Sequence, residues 1–477
     1  MNDEHQEFEP VVVELPTEVD PLFVFERLRK LPNCLFLDSA LAHESLGRYS
    51  FVVADPIDWL QIAPTSAPIF PELTPYFSYY TQATHKELPP FQGGAAGLLS
   101  YDLSKSIESI RDNAYSEFDL PAMAIGIYDV VFAFDHLKNC GWLISQGYEK
   151  LSGTNRPSFS DRKLLAQQRA DRFREVLSDR VFDKPSRRHA RIPLQGPTYE
   201  TTGPNGLVSN FAEHEYLQTI QRGIDYIYAG DVFQVNLAQR LCFPAQCESH
   251  ELYDRLRTRN PATFAGYFDL GDYQIISASP ERFLQVQDRQ VEARPIKGTR
   301  RRTSLPEADL FAGSELRESE KDTAENVMIV DLMRNDLSVS CTPESIVVDQ
   351  LCKVEVYEFV QHLVSSVRGT MRDDCSLLDL LQGTFPGGSI TGAPKIRAME
   401  IIAELEPHAR GAYCGSLGYL GFDGSMDMSI LIRTVTAGKG WWQFPVGGGI
   451  VAQSNPEQEY METWHKAEGI IRSLERS

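Results

Sequence analysis

Apolar residues recur with two different periods along the chain, and these periods predict both helices and strands. In residues 216–228 the apolar positions have helical spacing, with Ser209 and Asn210 as candidate N-terminal caps and Gly230 as the residue that ends the helix. In residues 233–243 every second side chain shares one face, which is the period of a strand. The sequence therefore predicts a helix that leads directly into a strand.

Later segments repeat this alternation. We predict strands at residues 273–279, 429–436 and 450–452, and helices at about residues 319–337, 394–405 and 456–474. Residues 1–183 contain short apolar runs separated by turn residues, which predicts mainly strands and turns. Residues 184–208 have little periodicity and predict a linker before a second region at residues 209–474. Together these elements indicate a mixed α/β or α+β class with sheets at the core.

Length, composition and charge narrow the range of functions. The chain has 477 residues, of which 42% are hydrophobic and 23% charged, as in a globular protein with a sizeable core. Its formal net charge is -20, and such a field repels nucleic acid and anionic membrane surfaces. We therefore expect neither as a partner. An anionic substrate would need a site that reverses the field locally, through Lys, Arg, helix N-termini or a bound cation.

Cysteine usage and hydropathy predict a cytoplasmic location. The eight cysteines are scattered and form no C-x-x-C pair, so we expect reduced and mostly buried thiols. The chain begins with acidic rather than apolar residues, and the longest apolar stretch, residues 122–134, is interrupted by Asp129. We therefore expect neither a secretion signal nor a membrane span; an organelle protein without its transit peptide is the alternative.

Three carboxylates on two predicted helices are candidate metal ligands. Glu459 and Glu462 lie three residues apart on the last helix, which Ser454 and Asn455 cap, and they repel each other unless a cation lies between them; a solvated helix face is the alternative. Glu325 lies on an otherwise apolar helical stripe, where its burial is costly without a cation or a strong donor. Carboxylates with few other ligand types suit Mg2+.

Two glycine-rich segments and one lysine are further candidates. Residues 385–395 form a glycine-rich loop before a helix, and residues 447–449 are three glycines after a strand; each provides either an anion cradle or only a structural turn. Lys297 follows a strand and precedes Gly298. It is either an exposed lysine at a turn, beside the arginines at residues 300–302, or an inward-pointing amine that becomes a nucleophile when it is desolvated.

Six segments together resemble the chorismate-utilising enzymes, a family that includes anthranilate synthase component I. They are SPERF at 279–283, PIKGT at 295–299, AENVMIVDLMRND at 324–336, FPGGSITGAPKIRAMEI at 385–401, YCGSLGY at 413–419 and GGGIVA at 447–452. The likeness covers nearly the whole chain. It implies an α+β fold with a large two-sheet β-sandwich core and helices outside, in which residues 1–183 form the N-terminal region and residues 209–474 bind chorismate.

The resemblance also implies roles for individual residues. Glu325, Glu459 and Glu462 would hold Mg2+, which grips the ring carboxylate of chorismate. His362 is similar to the family's histidine near the leaving hydroxyl. The two substrate carboxylates would be bound by two side chains and by backbone groups, namely Arg433, Tyr413, Gly298, Thr299, Gly447, Gly448 and Gly449. Such a site would supply the local reversal of field that an acidic protein needs.

Two side chains distinguish the branches of the family. Gln234 stands where isochorismate-forming relatives have a lysine that activates water, so addition of water is disfavoured. Lys297 stands where anthranilate-forming relatives have alanine, and with the VNLAQR segment it is similar to the branch that aminates C4 of chorismate. Anthranilate formation is the alternative. A catalytically inactive scaffold that docks a glutaminase or senses tryptophan would be expected to have lost some of the implied site residues, and all are present.

Amination at C4 would follow a covalent route. Lys297 attacks C2 while Glu281, protonated as a general acid, assists departure of the C4 hydroxyl. Ammonia then adds at C4 and expels the lysine, which gives 4-amino-4-deoxychorismate. The chain has no cysteine in a G-x-C-x-G elbow, so a separate glutaminase subunit is expected to supply the ammonia.

A second ligand site is also implied by the resemblance. Relatives bind tryptophan in the other half of the fold, through residues similar to Ser39, Arg48, Thr263, Phe264 and Ala265. The last three residues depart from the Pro-Tyr-Met triplet of feedback-inhibited anthranilate synthases. We therefore expect no inhibition by tryptophan. A structural tryptophan site and an unliganded packed core are the two alternatives for this region.

Overall fold

The fold is seen in a computed structural model of the chain. The structure describes residues 8–41, 46–80, 85–151, 158–178, 190–302, 313–356 and 360–475. In this part of the chain, no helix is both long enough and apolar enough to span a lipid bilayer. The strands form two large antiparallel sheets.

The first sheet contains 13 strands within the described residues. Along the sheet the strand order is β1-β8-β7-β3-β2-β12-β13-β22-β23-β11-β10-β9, with β19 beside β11. The strands are β1 (Val11–Leu15), β2 (Leu35–Asp38), β3 (Tyr49–Val53), β7 (Val130–Asp135), β8 (Cys140–Ser145), β9 (Tyr199–Glu200), β10 (Val208–Ser209), β11 (Gln234–Pro244), β12 (Phe264–Asp269), β13 (Tyr273–Ser279), β19 (Gly392–Ala393), β22 (Thr434–Gly438) and β23 (Trp441–Ile450).

The second sheet contains ten strands in the same part of the chain. Their order is β16-β18-β15-β14-β21-β20-β5-β6-β4, with β17 beside β18. The strands are β4 (Asp58–Ile62), β5 (Gly94–Leu99), β6 (Met123–Tyr128), β14 (Arg282–Gln287), β15 (Gln290–Ala293), β16 (Ile296–Arg301), β17 (Val347–Val356), β18 (Val360–Thr370), β20 (Ser416–Gly421) and β21 (Met426–Ile430).

Helices cover the outer faces of the sheets. They are α1 (Pro21–Leu28), α2 (Thr74–Tyr79), α3 (Phe159–Ser178), α4 (Glu213–Tyr228), α5 (Ser249–Arg259), α6 (Glu320–Ser338), α7 (Leu377–Thr384), α8 (Lys395–Leu405) and α9 (Pro456–Leu474). Buried apolar residues of α1, α3, α5 and α9 pack on the first sheet, and those of α6 and α7 pack on the second. Burial of one apolar face on each of these six helices therefore holds the outer layers in place.

Apolar side chains fill the space between the two sheets. Val53 and Phe268 from the first sheet share one buried cluster with Leu98 and Tyr419 from the second. The rings of Phe51 and Tyr419 cross this interface with centroids 5.7 Å apart in an edge-to-face arrangement. The prediction of an α+β fold with a two-sheet sandwich core and outer helices is confirmed.

Several predicted elements are confirmed to within a residue or two. The strand predicted at 273–279 is β13, and the predicted helices at 319–337, 394–405 and 456–474 are α6, α8 and α9. The cap of α9 is also confirmed, because the Asn455 side chain accepts a hydrogen bond from the amide of Gln458 at 3.0 Å. Helix starts with a clear capping residue were therefore predicted well.

Other predictions of strands and turns were wrong. The strand predicted at 429–436 is two strands, β21 and β22, because Arg433 between them has a φ of 51°. The three glycines at 447–449 lie inside β23 rather than after a strand, and β23 ends at Ile450, so no separate strand occupies 450–452. Residues 1–183 also contain the helices α1, α2 and α3, of which α3 has 20 residues and was concealed by its polar sequence.

The predicted N-terminal caps of α4, Ser209 and Asn210, were also wrong. Its N-cap is Ala212, and Ser209 belongs to the short strand β10. The Asn210 side chain instead accepts a hydrogen bond from the amide of Arg240 at 2.7 Å. Pairing with the neighbouring strand β11 therefore takes the polar side chains that helix capping would have used.

Both sheets combine strands from residues 1–183 with strands from residues 209–474. In the first sheet β2 pairs with β12, and in the second β5 pairs with β20. The division into two regions and a linker stays a prediction, and residues 184–189 of that linker lie outside the described residues.

Candidate active site

Lys297 lies inside β16 and points inward. Its strand pairs with β18 so that Lys297 faces Leu363 and Thr299 faces His362, with a bulge at Gly298 between them. Gly298 has a φ of +65°, and a β-carbon there would lie 2.6 Å from Leu316. The Lys297 amino group donates a hydrogen bond to the carbonyl of Ser389 at 3.2 Å. The alternative of an exposed lysine at a turn is therefore wrong.

Glu281 is a buried carboxyl group between β13 and β14. It is 4% exposed, and its Oε1 atom has no hydrogen-bond partner among the described residues. Burial raises the pKa of Glu281 above its ordinary value, against the lowering effects of the nearby Ser389 hydroxyl and Lys297 amino group. A raised pKa favours the protonated form, which is the form that a general acid needs.

His362 lies on β18, next to the bulge that carries Gly298. It is 3% exposed. Burial and the neighbouring Arg433 lower the pKa of His362 to about 4, while a hydrogen bond with the Gly298 backbone opposes this shift. The imidazole is therefore neutral at physiological pH and is available as a hydrogen-bonding group rather than as a cation.

Arg433 and Tyr413 lie on two loops that meet. The carbonyl of Arg433 accepts a hydrogen bond from Ala278 at 3.2 Å, and the amide of Cys414 donates to Leu431 at 2.8 Å. Tyr413 is buried, and the guanidinium of Arg410 lies 5.7 Å from the centre of its ring. These contacts place the phenol and the guanidinium predicted to bind carboxylates on adjoining segments.

The three glycines at 447–449 bring β23 against polar side chains. A β-carbon on Gly449 would lie 2.4 Å from Nε2 of Gln234. A β-carbon on Gly448 would lie 3.4 Å from Oε2 of Glu459 and 3.7 Å from Oε1 of Glu462. A β-carbon on Gly449 would therefore force the Gln234 side chain to move, whereas the distances at Gly448 are those of ordinary contacts. The two carboxylates converge beneath the same strand.

Gln234 lies fully buried at the start of β11. Neither its side-chain oxygen nor its side-chain nitrogen has a hydrogen-bond partner in the described part of the chain. The hydroxyl of Ser389, beside Lys297, is also buried, and it lies close enough to Glu281 to lower the pKa of that carboxyl group. A buried polar group without a hydrogen-bond partner lowers the stability of the fold, and such groups commonly bind a ligand or an ordered water molecule.

The three predicted metal ligands are brought together from two helices, but ammonium groups neutralise them. Lys321 Nζ lies 2.9 Å from Oε1 of Glu459 and 4.0 Å from Oε1 of Glu325. Lys466 Nζ lies 2.7 Å from Oε1 of Glu462. Burial raises the pKa of Glu325, whereas Lys466 lowers the pKa of Glu462. The expectation of a cation or strong donor beside Glu325 is therefore confirmed.

The oxygen-only donor set fits Mg2+ by its chemistry. Among the described residues, however, no three acidic, histidine or cysteine side chains converge on one metal position. The carboxylates would have to exchange their lysine partners for the metal. Mg2+ binding by Glu325, Glu459 and Glu462 therefore stays a prediction.

The five residues of the predicted tryptophan site line one cavity. Ser39, Arg48, Thr263, Phe264 and Ala265 surround a space of about 910 Å3. The cavity lies where β2 and β3 of the N-terminal region meet β12, at the edge of the space between the sheets. A cavity rather than a filled core therefore occupies this position.

Sequence reasoning missed two residues that contact the predicted site residues. Ser389 was part of a glycine-rich loop and carried no signal of its own. Lys321 lies four residues before Glu325, and a lysine at this helical spacing from a glutamate could have been recognised as its partner.

Comparison with known proteins identifies the class. The family described as chorismate binding enzyme matches residues 33–472, so the chain belongs to that family. The chain is 38% identical over 481 residues to aminodeoxychorismate synthase component 1 of Salmonella typhimurium, with 98% of both chains covered. Chorismate is therefore the substrate that the family implies, and the predicted resemblance is confirmed.

Anthranilate synthases, which belong to another branch of the family, are also similar to the chain. The chain is also 40% identical over 392 residues to anthranilate synthase component 1 of Thermus thermophilus, covering 82% of this chain and 79% of the relative. The crystal structure of anthranilate synthase component I from Streptococcus pneumoniae is similar with a TM-score of 0.72 and 30% identity, covering 91% of this chain and 94% of that one. Identity alone therefore does not separate the two reactions.

Proposed function

We propose that the protein converts chorismate and ammonia to 4-amino-4-deoxychorismate, the reaction of an aminodeoxychorismate synthase component 1. The observation that carries this proposal is the position of Lys297, whose amino group lies inside the site on the Ser389 carbonyl. A lysine amine placed beside a buried carboxyl group supports covalent catalysis.

The proposed reaction has two displacements, each with an allylic shift. Lys297 Nζ forms a bond to C2, the ring double bond shifts, and the C4–O bond breaks as Glu281 gives its proton to the hydroxyl, which leaves as water. Ammonia then forms a bond at C4, the double bond shifts back, and the C2–N bond to Lys297 breaks. Hydroxyl and amine therefore exchange at the same carbon.

Other side chains would orient the substrate and exclude water addition. The two carboxylates of chorismate are proposed to be bound by Arg433, Tyr413 and the backbone of the three glycines at 447–449. Gln234, whose buried amide has no partner among the described residues, cannot deprotonate water. Its presence favours ammonia and the lysine amine, which need no such base.

Magnesium is proposed to be held by Glu325, Glu459 and Glu462. When bound, it would neutralise the ring carboxylate of chorismate and act as a Lewis acid. Glu459 and Glu462 already converge beneath Gly448, which supports this assignment. A separate glutaminase subunit is proposed as the source of ammonia, in keeping with the component 1 names of the relatives.

Product identification tests the proposal directly. With chorismate, Mg2+ and ammonium, we expect 4-amino-4-deoxychorismate as the main product, because Lys297 provides the covalent route to C4. The measurement is p-aminobenzoate after addition of an aminodeoxychorismate lyase, with parallel detection of anthranilate by fluorescence. Anthranilate as the main product would overturn the proposal and favour the second candidate, anthranilate synthesis, which the similarity to the Thermus thermophilus enzyme supports.

The cavity lined by Ser39 and Arg48 is proposed to bind L-tryptophan without inhibition. Because the cavity of about 910 Å3 exceeds a tryptophan molecule, we expect binding detectable by isothermal titration calorimetry. Phe264→Ala should weaken binding by about tenfold, since an aromatic wall contributes apolar contact area. Product formation should not change when tryptophan is added. Absence of any binding heat, or strong inhibition, would contradict this prediction.

A further inference from the structure

Lys321 links the two helices that carry the proposed metal ligands. It lies in the first turn of α6 and reaches across to α9, where its Nζ is 2.9 Å from Oε1 of Glu459. The same ammonium lies 4.0 Å from Oε1 of Glu325, one turn further along its own helix. One positive charge is thus shared by two carboxylates from different helices.

The two partners of this contact differ in their freedom to move. Glu459 is 4% exposed, and its Oε1 also accepts a hydrogen bond from the Ser454 hydroxyl at 2.6 Å. The Lys321 side chain is 42% exposed and has a flexible four-carbon stem. The carboxylate is therefore fixed, whereas the ammonium has access to solvent.

The surrounding charges explain why a cation belongs at this position. Glu325 and Glu459 are both shielded from solvent, with exposed side-chain fractions of 13% and 4%. The two neighbouring ammonium groups have other partners, because Lys297 donates to the Ser389 carbonyl and Lys466 pairs with Glu462. Without Lys321, two buried carboxylates would face each other with too little positive charge to balance them.

We propose that Lys321 is a tethered counter-ion that takes the place of the metal between Glu325 and Glu459 and has to swing into solvent when Mg2+ binds. This inference rests on the proposed magnesium site. An ammonium group and a divalent cation cannot share Glu459 Oε1 at contact distance without strong repulsion, because this carboxylate is shielded from solvent. Lys321 is a positioning residue that acts through the carboxylates.

The tether has two opposite effects. In the metal-free enzyme it stabilises the pair of helices by balancing the carboxylates. During metal binding it competes, so the affinity for Mg2+ is lower than the carboxylates alone would provide. A residue with a purely structural role would show only the first effect.

The test measures metal affinity and thermal stability of the full chain without chorismate. Mg2+ is titrated by calorimetry and Mn2+ by water-proton relaxation, and the Tm is recorded with EDTA and with Mg2+. For Lys321→Met we expect metal binding about fivefold tighter and a lower Tm in EDTA, with a larger rise in Tm on adding Mg2+. Lys321→Gln, which keeps a hydrogen-bond donor, should change metal affinity in the same direction and protects the test against misfolding of the first variant.

Two controls separate competition from general effects of charge and packing. Lys321→Arg keeps the positive charge and should bind Mg2+ as the unmodified enzyme does. Arg472→Met removes an ion pair of the same spacing, with Glu468, from the same helix as Glu459, and should leave metal affinity unchanged.

Unchanged or weaker metal binding in Lys321→Met and Lys321→Gln would overturn the inference, as would absence of Mg2+ binding in every form of the protein. Tighter binding together with a lower Tm in EDTA supports it. The identity of the product does not enter this test. Formation of anthranilate would therefore overturn the proposed C4 reaction separately from the role of Lys321.

Discussion

Lys297→Ala is expected to abolish the formation of 4-amino-4-deoxychorismate, with kcat/KM falling by about 10^3-fold or more. In the proposed mechanism the lysine supplies the nucleophile, and its amino group lies on the Ser389 carbonyl. During turnover of the unmodified enzyme, intact-mass spectrometry should reveal a dehydrated chorismate adduct. That adduct should be absent from the variant.

A neighbouring lysine provides a matched control. Lys353 lies on β17 and faces Val364 of β18, one residue from the Leu363 that faces Lys297, but its own side chain is exposed. Lys353→Ala should retain full activity and the adduct. If Lys297→Ala formed the same product at an unchanged rate, the lysine would have no part in the mechanism.

Glu281→Gln is expected to lower kcat by about 10^2- to 10^4-fold, the usual contribution of a general acid. Glutamine keeps the size of the side chain and removes the transferable proton. Because burial raises the pKa of Glu281, the acid form persists to higher pH than in an ordinary glutamate. The rate of the unmodified enzyme should fall as the pH rises through this pKa, and this limb of the pH profile should be absent from the variant.

The thermal stability of Glu281→Gln shows whether the substitution disturbs the fold. The variant should not be less stable than the unmodified protein, since a neutral amide in a buried position avoids the cost of an ionised carboxylate. Glu400→Gln, on the exposed side of α8, serves as the control that should change neither rate nor pH profile. A Glu281→Gln enzyme with normal kcat would show that another group protonates the leaving hydroxyl.

The sequence predicted best those features that depend on local chemistry. Helix α9 was located from its cap and its apolar stripe. The free-energy cost of burying the Glu325 carboxylate predicted a nearby cation or strong donor. The inward direction of Lys297 could not be predicted locally, because it depends on a bulge opposite β18. Only the resemblance to a family indicated that this lysine lies in the site.

Long-range pairing explains what the sequence alone could not predict. Residues 447–449 looked like a turn, yet pairing with β11 places them inside a strand. Residues 429–436 looked like one strand, yet the backbone turns at Arg433. The position of Ser389 also depends on neighbours far along the chain, because the Asn236 side chain donates a hydrogen bond to the Ser389 carbonyl at 2.9 Å.

The mixed origin of the two sheets has a consequence for how the protein loses its structure. Separating the N-terminal strands from the rest would uncover a full edge of hydrogen-bonding groups on β12 and another on β20. Such bare edges are unstable in water and pair readily with other chains. We therefore expect the two sheets to unfold together in one cooperative transition. A destabilising mutation far from the chorismate site should then lower the amount of folded enzyme rather than the turnover rate of each folded molecule.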